Sequence, residues 1–129
     1  MSLSERSEKN LTGVHPDLVS VVRRADELID ADSGLSFIVT EGVRTAVRQA
    51  ELVKAGASRT MNSKHLTGRA VDLAAVVSGG VRWDWPLYAK LAEAMKKASS
   101  ELGVPIVWGG DWRSFKDGPH FELAEARSA

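Results

Sequence analysis

The chain has no cysteine, which excludes thiol catalysis, cysteine-ligated zinc and iron–sulfur clusters, and obliges any core to form without disulfides. It also lacks net charge. With 17 Lys+Arg against 17 Asp+Glu, no field draws it to phosphates, and nucleic acid is not an expected partner. Long apolar runs are missing too: they break after a few residues at Asp72 or an arginine, whereas a membrane span needs about 20. Met1 to Asn10 carries Glu5, Arg6, Glu8 and Lys9 and no apolar stretch, so export by a secretory leader is not expected. Repeats, low-complexity tracts and long linkers are absent, so the 129 residues read as one soluble domain. A chain of this size hides roughly two-thirds of its unfolded surface.

Pro16 opens the first helix, where Leu18, Val21, Val22, Ala25, Leu28 and Ile29 recur at helical spacing and Arg23, Arg24, Asp26 and Glu27 take the other face. Gly34 closes that region. Ser36–Glu41 reads as a short strand, and Thr45 caps a second helix that runs to Ala55 and stops at Gly56. Ala57–Lys64, polar and small, reads as a loop. Arg69–Val77 reads as a strand with Ala70, Asp72 and Ala74 on one face and Val71 and Leu73 on the other. An aspartate in mid-strand needs a reason. Ser78-Gly79-Gly80 turns the chain into Val81–Trp83, a hairpin. Asp84 is the expected N-cap of the longest helix, Trp85–Leu102, with Leu87, Leu91, Ala94, Met95, Ala98 and Leu102 on its apolar stripe and Gly103 as its stop. Ile106–Trp108 and His120–Leu123 complete the strands. The irregular order predicts an α+β fold: a small antiparallel sheet packed with about three helices.

His65, Asp72 and His120 are candidate ligands of one metal ion. Two neutral imidazoles and a carboxylate suit Zn²⁺, and three protein ligands leave a fourth tetrahedral position for water. A net charge of about +1 lowers the pKa of such a water toward 7. A hydrolase also needs a proton acceptor and a group to stabilise the oxyanion. Asp117, in a loop with Gly118 and Pro119, is the candidate general base; Arg44 suits a carbonyl oxygen or a substrate carboxylate. Bland readings stand beside these. Lone histidines are usually satisfied polar residues, Asp-Gly is a common turn pair, and Arg44 could be a solvated charge, although a cation at a helix start opposes the dipole. Glu122 shares a strand face with His120 and reads as the partner that orients an imidazole N–H, with a rival reading as the base. His15 reads as local, the tryptophans Trp83, Trp85, Trp108 and Trp112 as core or groove wall, and Lys64, Arg69 and Arg113 as solvated.

The surrounding pattern is more specific. Ser63 to Asp72 has the form S-x-H-x-x-G-x-A-x-D, and Asp117 to Leu123 the form D-x-x-H-x-E-L. Together they resemble the zinc peptidase family of D-Ala-D-Ala dipeptidases, D,D-carboxypeptidases and the L-alanyl-D-glutamate endopeptidases of bacteriophage lysis. Gly42-Val43-Arg44-Thr45, with Gln49 beyond it, is similar to that family's arginine motif. The resemblance runs from about Ser7 to Leu123 and is greatest to the phage branch, whose order Ser7-Glu8-Lys9, the Trp83–Trp85 segment and Gly110-Asp111-Trp112 also follow. It implies zinc on His65, Asp72 and His120, Asp117 as acid/base, Arg44 at the transition state, and Ser63 lining the substrate groove. Dipeptidase relatives carry Glu, one methylene longer, where this chain has Asp117.

The expectation is a single catalytic domain over residues 1–129, core about 7–123. It would hold one Zn²⁺ and hydrolyse peptidoglycan stem peptides between L-Ala and D-Glu as a phage or prophage endolysin. Six residues follow Leu123, too few for a separate wall-binding domain. A monomer made in the host cytoplasm and released to the wall is expected. Two alternatives accompany it: a D-Ala-D-Ala carboxypeptidase or dipeptidase on the same scaffold, and a non-catalytic phage structural or wall-binding module that keeps zinc for stability.

Overall fold

The structure, a computed structural model, describes residues 3–29, 33–56, 63–113 and 116–124. In chain order it contains α1 (Glu5–Asn10), α2 (Pro16–Leu28), β1 (Leu35–Glu41), α3 (Ala46–Lys54), a 3₁₀ turn (Lys64–Thr67), β2 (Ala70–Val77), β3 (Gly80–Arg82), α4 (Trp85–Leu102), β4 (Ile106–Trp108), a second 3₁₀ turn (Gly109–Asp111) and β5 (His120–Leu123). The α+β class and the antiparallel sheet are as expected. The described residues hold four helices where about three are expected, the short α1 being the addition.

Strand β2 is the centre of the five-stranded sheet. Asp72 to Val77 pair with β1 on one edge, while the other edge is shared: β5 takes Ala70 to Asp72 and β3 takes Ala75 to Val77. Strand β4 then pairs with β5 on the outside. The β2–β3 turn holds Ser78 at φ 52° and Gly79 at φ 80°, the paired positive dihedrals that a two-residue hairpin needs to match strand twist. One face of β2 presents Val71, Leu73 and Ala75 to the core that α2 and α4 complete. Helix α2 buries Leu18, Val21, Val22 and Ala25 at helical spacing. Helix α4 buries Tyr88, Leu91, Ala92, Met95 and Ala98, so its inward stripe is rotated from the expected one and Leu102 is left 44% exposed.

Other departures are local. Asp84 stands at the N-cap of α4 but makes no capping bond, because its carboxylate takes the Arg82 guanidinium instead. The loop expected over Ala57–Lys64 lies mostly outside the described residues, and Lys64 itself begins the 3₁₀ turn. His15 has the local role expected of it, with Nδ1 accepting the Asp17 N–H at the start of α2.

Helix α1 is too short to carry an apolar stripe, and polar bonds hold it. Ser7, wholly buried, accepts the Val39 N–H at 2.9 Å, and the Asn10 amide donates to the Val39 carbonyl at 2.8 Å. These two side chains satisfy the free edge of β1 where its ladder slips between Val39 and Glu41. Gly42 follows, and a Cβ there would lie 2.1 Å from the Asn10 carbonyl oxygen. Only glycine permits that approach.

Because Leu73 is fully buried between the sheet and the helices, Leu73→Ala should cost about 2–5 kcal/mol of unfolding free energy. Val47→Ala, at a 71% exposed position, should stay within about 0.5 kcal/mol. Urea denaturation followed by circular dichroism checks both, and equal midpoints for the two variants would contradict the assigned core.

Candidate metal centre

The β2–β5 register sets Asp72 directly opposite His120, and the β1–β2 register sets Glu41 opposite Asp72. Cross-strand partners share a face, so three polar side chains form a row across the sheet. His65 joins them from the 3₁₀ turn. Ser63 caps that turn, its Oγ accepting the His65 N–H at 3.2 Å. The Arg44 N–H donates to the His65 carbonyl at 2.9 Å, which ties the turn to the segment after β1.

His65, Asp72 and His120 come together as the sequence predicts, with one ligand atom from each within 4.8 Å of the others. The hydrogen-bond roles are fixed by their outer partners. His65 Nδ1 lies 2.8 Å from the Gly42 carbonyl, which only accepts, so that nitrogen carries the hydrogen. His120 Nε2 lies 2.8 Å from Glu122 Oε1 and donates to it. The remaining nitrogens, His65 Nε2 and His120 Nδ1, face Asp72 Oδ1 at 3.2 and 3.3 Å. Neutral rings would thus aim two lone pairs at one carboxylate oxygen, a repulsive arrangement unless a cation sits at the focus. The donor set fits a zinc-type ion: two nitrogens, a carboxylate, and outer partners that hold each ring.

In the metal-free protein, a proton on His120 supplies positive charge there. Burial opposes the charged form of His120, but its bonds to Asp72 and Glu122 outweigh burial and push it up to about 9. For Asp72, burial raises the carboxyl, yet the bonds from His120 and His65, with their charges, hold it well below the usual carboxylate range. Asp117 shifts the other way. Burial raises it, the Asp72 charge adds to that, and His120, His65 and Arg44 oppose. Its side chain therefore lies within electrostatic reach of the whole group. Gly109 makes room for this loop: a Cβ there would lie 2.3 Å from the Asp117 carbonyl oxygen and 3.1 Å from His120 Cβ.

Arg44 differs from a free substrate-binding cation. It is only 8% exposed; Nε and Nη2 bind Glu41 at 2.7 and 2.8 Å, Nη1 binds Gln49 at 2.7 Å, and Nη2 lies 3.5 Å from Asp72 Oδ2. Gln49 was placed in the arginine motif, but Glu41 was left without a role by sequence reasoning; the E-x-x-R spacing was the available signal. Lys64 is corrected from solvated to structural, since it donates to the Leu123 carbonyl at 2.8 Å and pairs with Glu122 at 2.9 Å. Arg69 buries its Nε, so it too is more than a solvated charge. Trp112 tilts against His120 with ring centroids 5.1 Å apart, a wall of the centre.

An α+β domain organised around a three-ligand metal centre, with an acidic loop beside it, is the class that fold and site define. The family described as phage L-alanyl-D-glutamate peptidase matches residues 1–124, and the chain belongs to it. It is 34% identical to the L-alanyl-D-glutamate peptidase of Escherichia phage T5, over 92% of this chain and 95% of that protein. It is 36% identical to the enzyme of the same name from Listeria phage A118, over 77% of this chain but 35% of that longer protein. The crystal structure of Serratia marcescens L-Ala D-Glu endopeptidase ChiX superposes with a TM-score of 0.84 at 47% identity, covering 96% of this chain and 90% of that one.

Because His120 is raised to about 9, zinc binding to the metal-free protein at pH 7 must expel its proton. Titration calorimetry in buffers of differing ionisation enthalpy should detect about one proton released per ion, with apparent affinity rising with pH up to about 9. The sign for the metal-free fold is the reverse. A pKa raised from 6.5 to about 9 gives stability that is complete below 6.5 and lost as pH climbs through 9. Zinc uptake at pH 7 with no proton release would contradict these assignments.

Proposed function

We propose that this chain is a zinc-dependent endopeptidase that hydrolyses peptidoglycan stem peptides between L-Ala and D-Glu, the bond named for its relatives. The convergence of His65, His120 and Asp72 on one point, with Asp117 in reach, is the observation that supports it. Zinc bound there supplies Lewis-acid chemistry, making a water acidic near neutral pH and polarising the scissile carbonyl.

Asp117 accepts the proton of the attacking water as the water oxygen bonds to the L-Ala carbonyl carbon. Its raised affinity for protons suits that task. It then delivers the proton to the D-Glu nitrogen as the C–N bond breaks, leaving a carboxylate and an amine. Arg44, locked by Glu41 and Gln49, contributes fixed positive charge beside Asp72 as negative charge grows on the carbonyl oxygen. Ser63 lines the groove and donates its hydroxyl to a peptide carbonyl. Glu122 holds the His120 ring through its N–H. In this reading the chain works as a single-domain monomer that reaches the wall after synthesis in the host cytoplasm. Among the described residues no helix is long and apolar enough to cross a membrane.

Digestion of purified peptidoglycan, with products identified by mass spectrometry, should yield new L-Ala carboxyl and D-Glu amino ends. Released D-Ala without those ends would assign the D,D-peptidase alternative instead. Asp117→Asn should keep zinc and fold while turnover falls about 10²–10⁴-fold. His65→Ala and His120→Ala should lose zinc and activity together, and activity lost to a chelator should return with zinc. A parent that binds zinc but releases no new ends would favour the zinc-stabilised module, and an Asp117→Asn protein as active as an active parent would take the proton-transfer role away from Asp117.

A further inference from the structure

Aromatic residues make up 6% of the chain, yet Trp83 is 63% exposed and Trp85 50%. The two rings are held in place. Trp83 stacks on the buried Tyr88 ring with centroids 5.9 Å apart and planes 16° from parallel. Trp85 meets Trp108 edge-on at 6.1 Å. With one face on Tyr88 and most of its surface in solvent, the Trp83 indole presents its other face outward. The charges on either side of it cancel, since Arg82 pairs with Asp84.

This aromatic patch abuts the loop that carries Asp117. A Cβ at Gly118 would lie 3.3 Å from the Trp85 ring and 3.4 Å from Tyr88, and Trp108 Nε1–H donates to the Gly118 carbonyl at 2.7 Å. Gly118 follows Asp117. The platform therefore begins one residue from the proposed proton-transfer group and runs outward to Trp83.

The covalent structure of the substrate says what belongs there. In peptidoglycan the L-Ala nitrogen is amide-bonded to the lactyl arm of N-acetylmuramic acid, so a sugar lies one residue from the bond cleaved. A pyranose face offers C–H groups whose partial positive charge suits the negative face of an indole, and a preheld ring loses little freedom on binding. We propose that Trp83 and Trp85 form a subsite for the N-acetylmuramyl sugar, which makes glycan-linked stem peptides better substrates than free ones. The inference rests on the endopeptidase reading and specifies which form of the substrate that site takes.

The test compares kcat/KM for a disaccharide-tetrapeptide with that for the free tetrapeptide, alongside the indole N–H signals in NMR spectra on adding the peptide-free GlcNAc–MurNAc disaccharide. The parent should prefer the disaccharide form. Trp83→Ala should lower that preference about tenfold, through KM and not kcat, and Trp83→Phe should restore most of it. The disaccharide should move the Trp83 and Trp85 signals. An unchanged preference in Trp83→Ala, or an equal fall on both substrates, overturns the subsite. Cleavage between L-Ala and D-Glu with silent indole signals rejects the sugar site and keeps the hydrolytic reading. Moving indole signals without that cleavage keep the sugar site and reject the hydrolytic reading.

Discussion

The pairing of Asp72 with His120 across two antiparallel strands is the constraint on which the centre depends. A one-residue slip of β5 against β2 would turn His120 into the core and Phe121 out of it. The core resists that slip, because Phe121 and Val71 are both fully buried on the opposite face. Apolar packing on one side of the sheet thus fixes the polar row on the other. Beyond the ladder, Leu73 N–H donates to the Pro119 carbonyl at 2.9 Å, carrying the same register into the loop that holds Asp117.

Much of this was legible in the residues. Alternation around Asp72 exposed a carboxylate where a strand should be apolar, and the helical spacing after Pro16 marked the layer that covers the sheet. The motifs around His65 and His120 located all three donors. The partners of those donors were hidden because they act through backbone or through long-range contact. The Gly42 carbonyl has no side-chain signature, and its use depends on the Asn10 carbonyl lying where a Cβ would otherwise sit. Helix α1 escaped notice for a related reason. Its stability comes from Ser7 and Asn10 bonding Val39 some thirty residues away, and no local periodicity records such a bond.

The tryptophans show the converse case, in which composition was clear and placement was not. Core or groove wall is the expected role, and Trp112 against His120 fits the second. Trp83 and Trp85 remain outside, stiffened by stacking on Tyr88 and Trp108. Their position follows from the hairpin: β3 ends at Arg82 and α4 begins at Trp85, so the link between them must cross the end of the sheet beside Gly118. The same link sets the Trp85 ring against Gly118 and stacks Trp83 on Tyr88.

Charge explains why the centre suits a divalent ion. Glu41, Asp72, Asp117 and Glu122 gather around it, while Arg44 and Lys64 are the fixed cations that pair with them. With neutral imidazoles the group is left two charges negative in a half-buried setting, where unpaired charge is costly. Protonated histidines can offset this, as the raised His120 shows, but they spend the very lone pairs that converge on Asp72. A divalent cation neutralises the same two charges and leaves both imidazoles as ligands. Arg44 belongs to that balance: bound on three sides by Glu41, Gln49 and Asp72, it holds its positive charge at a fixed position beside the carboxylates.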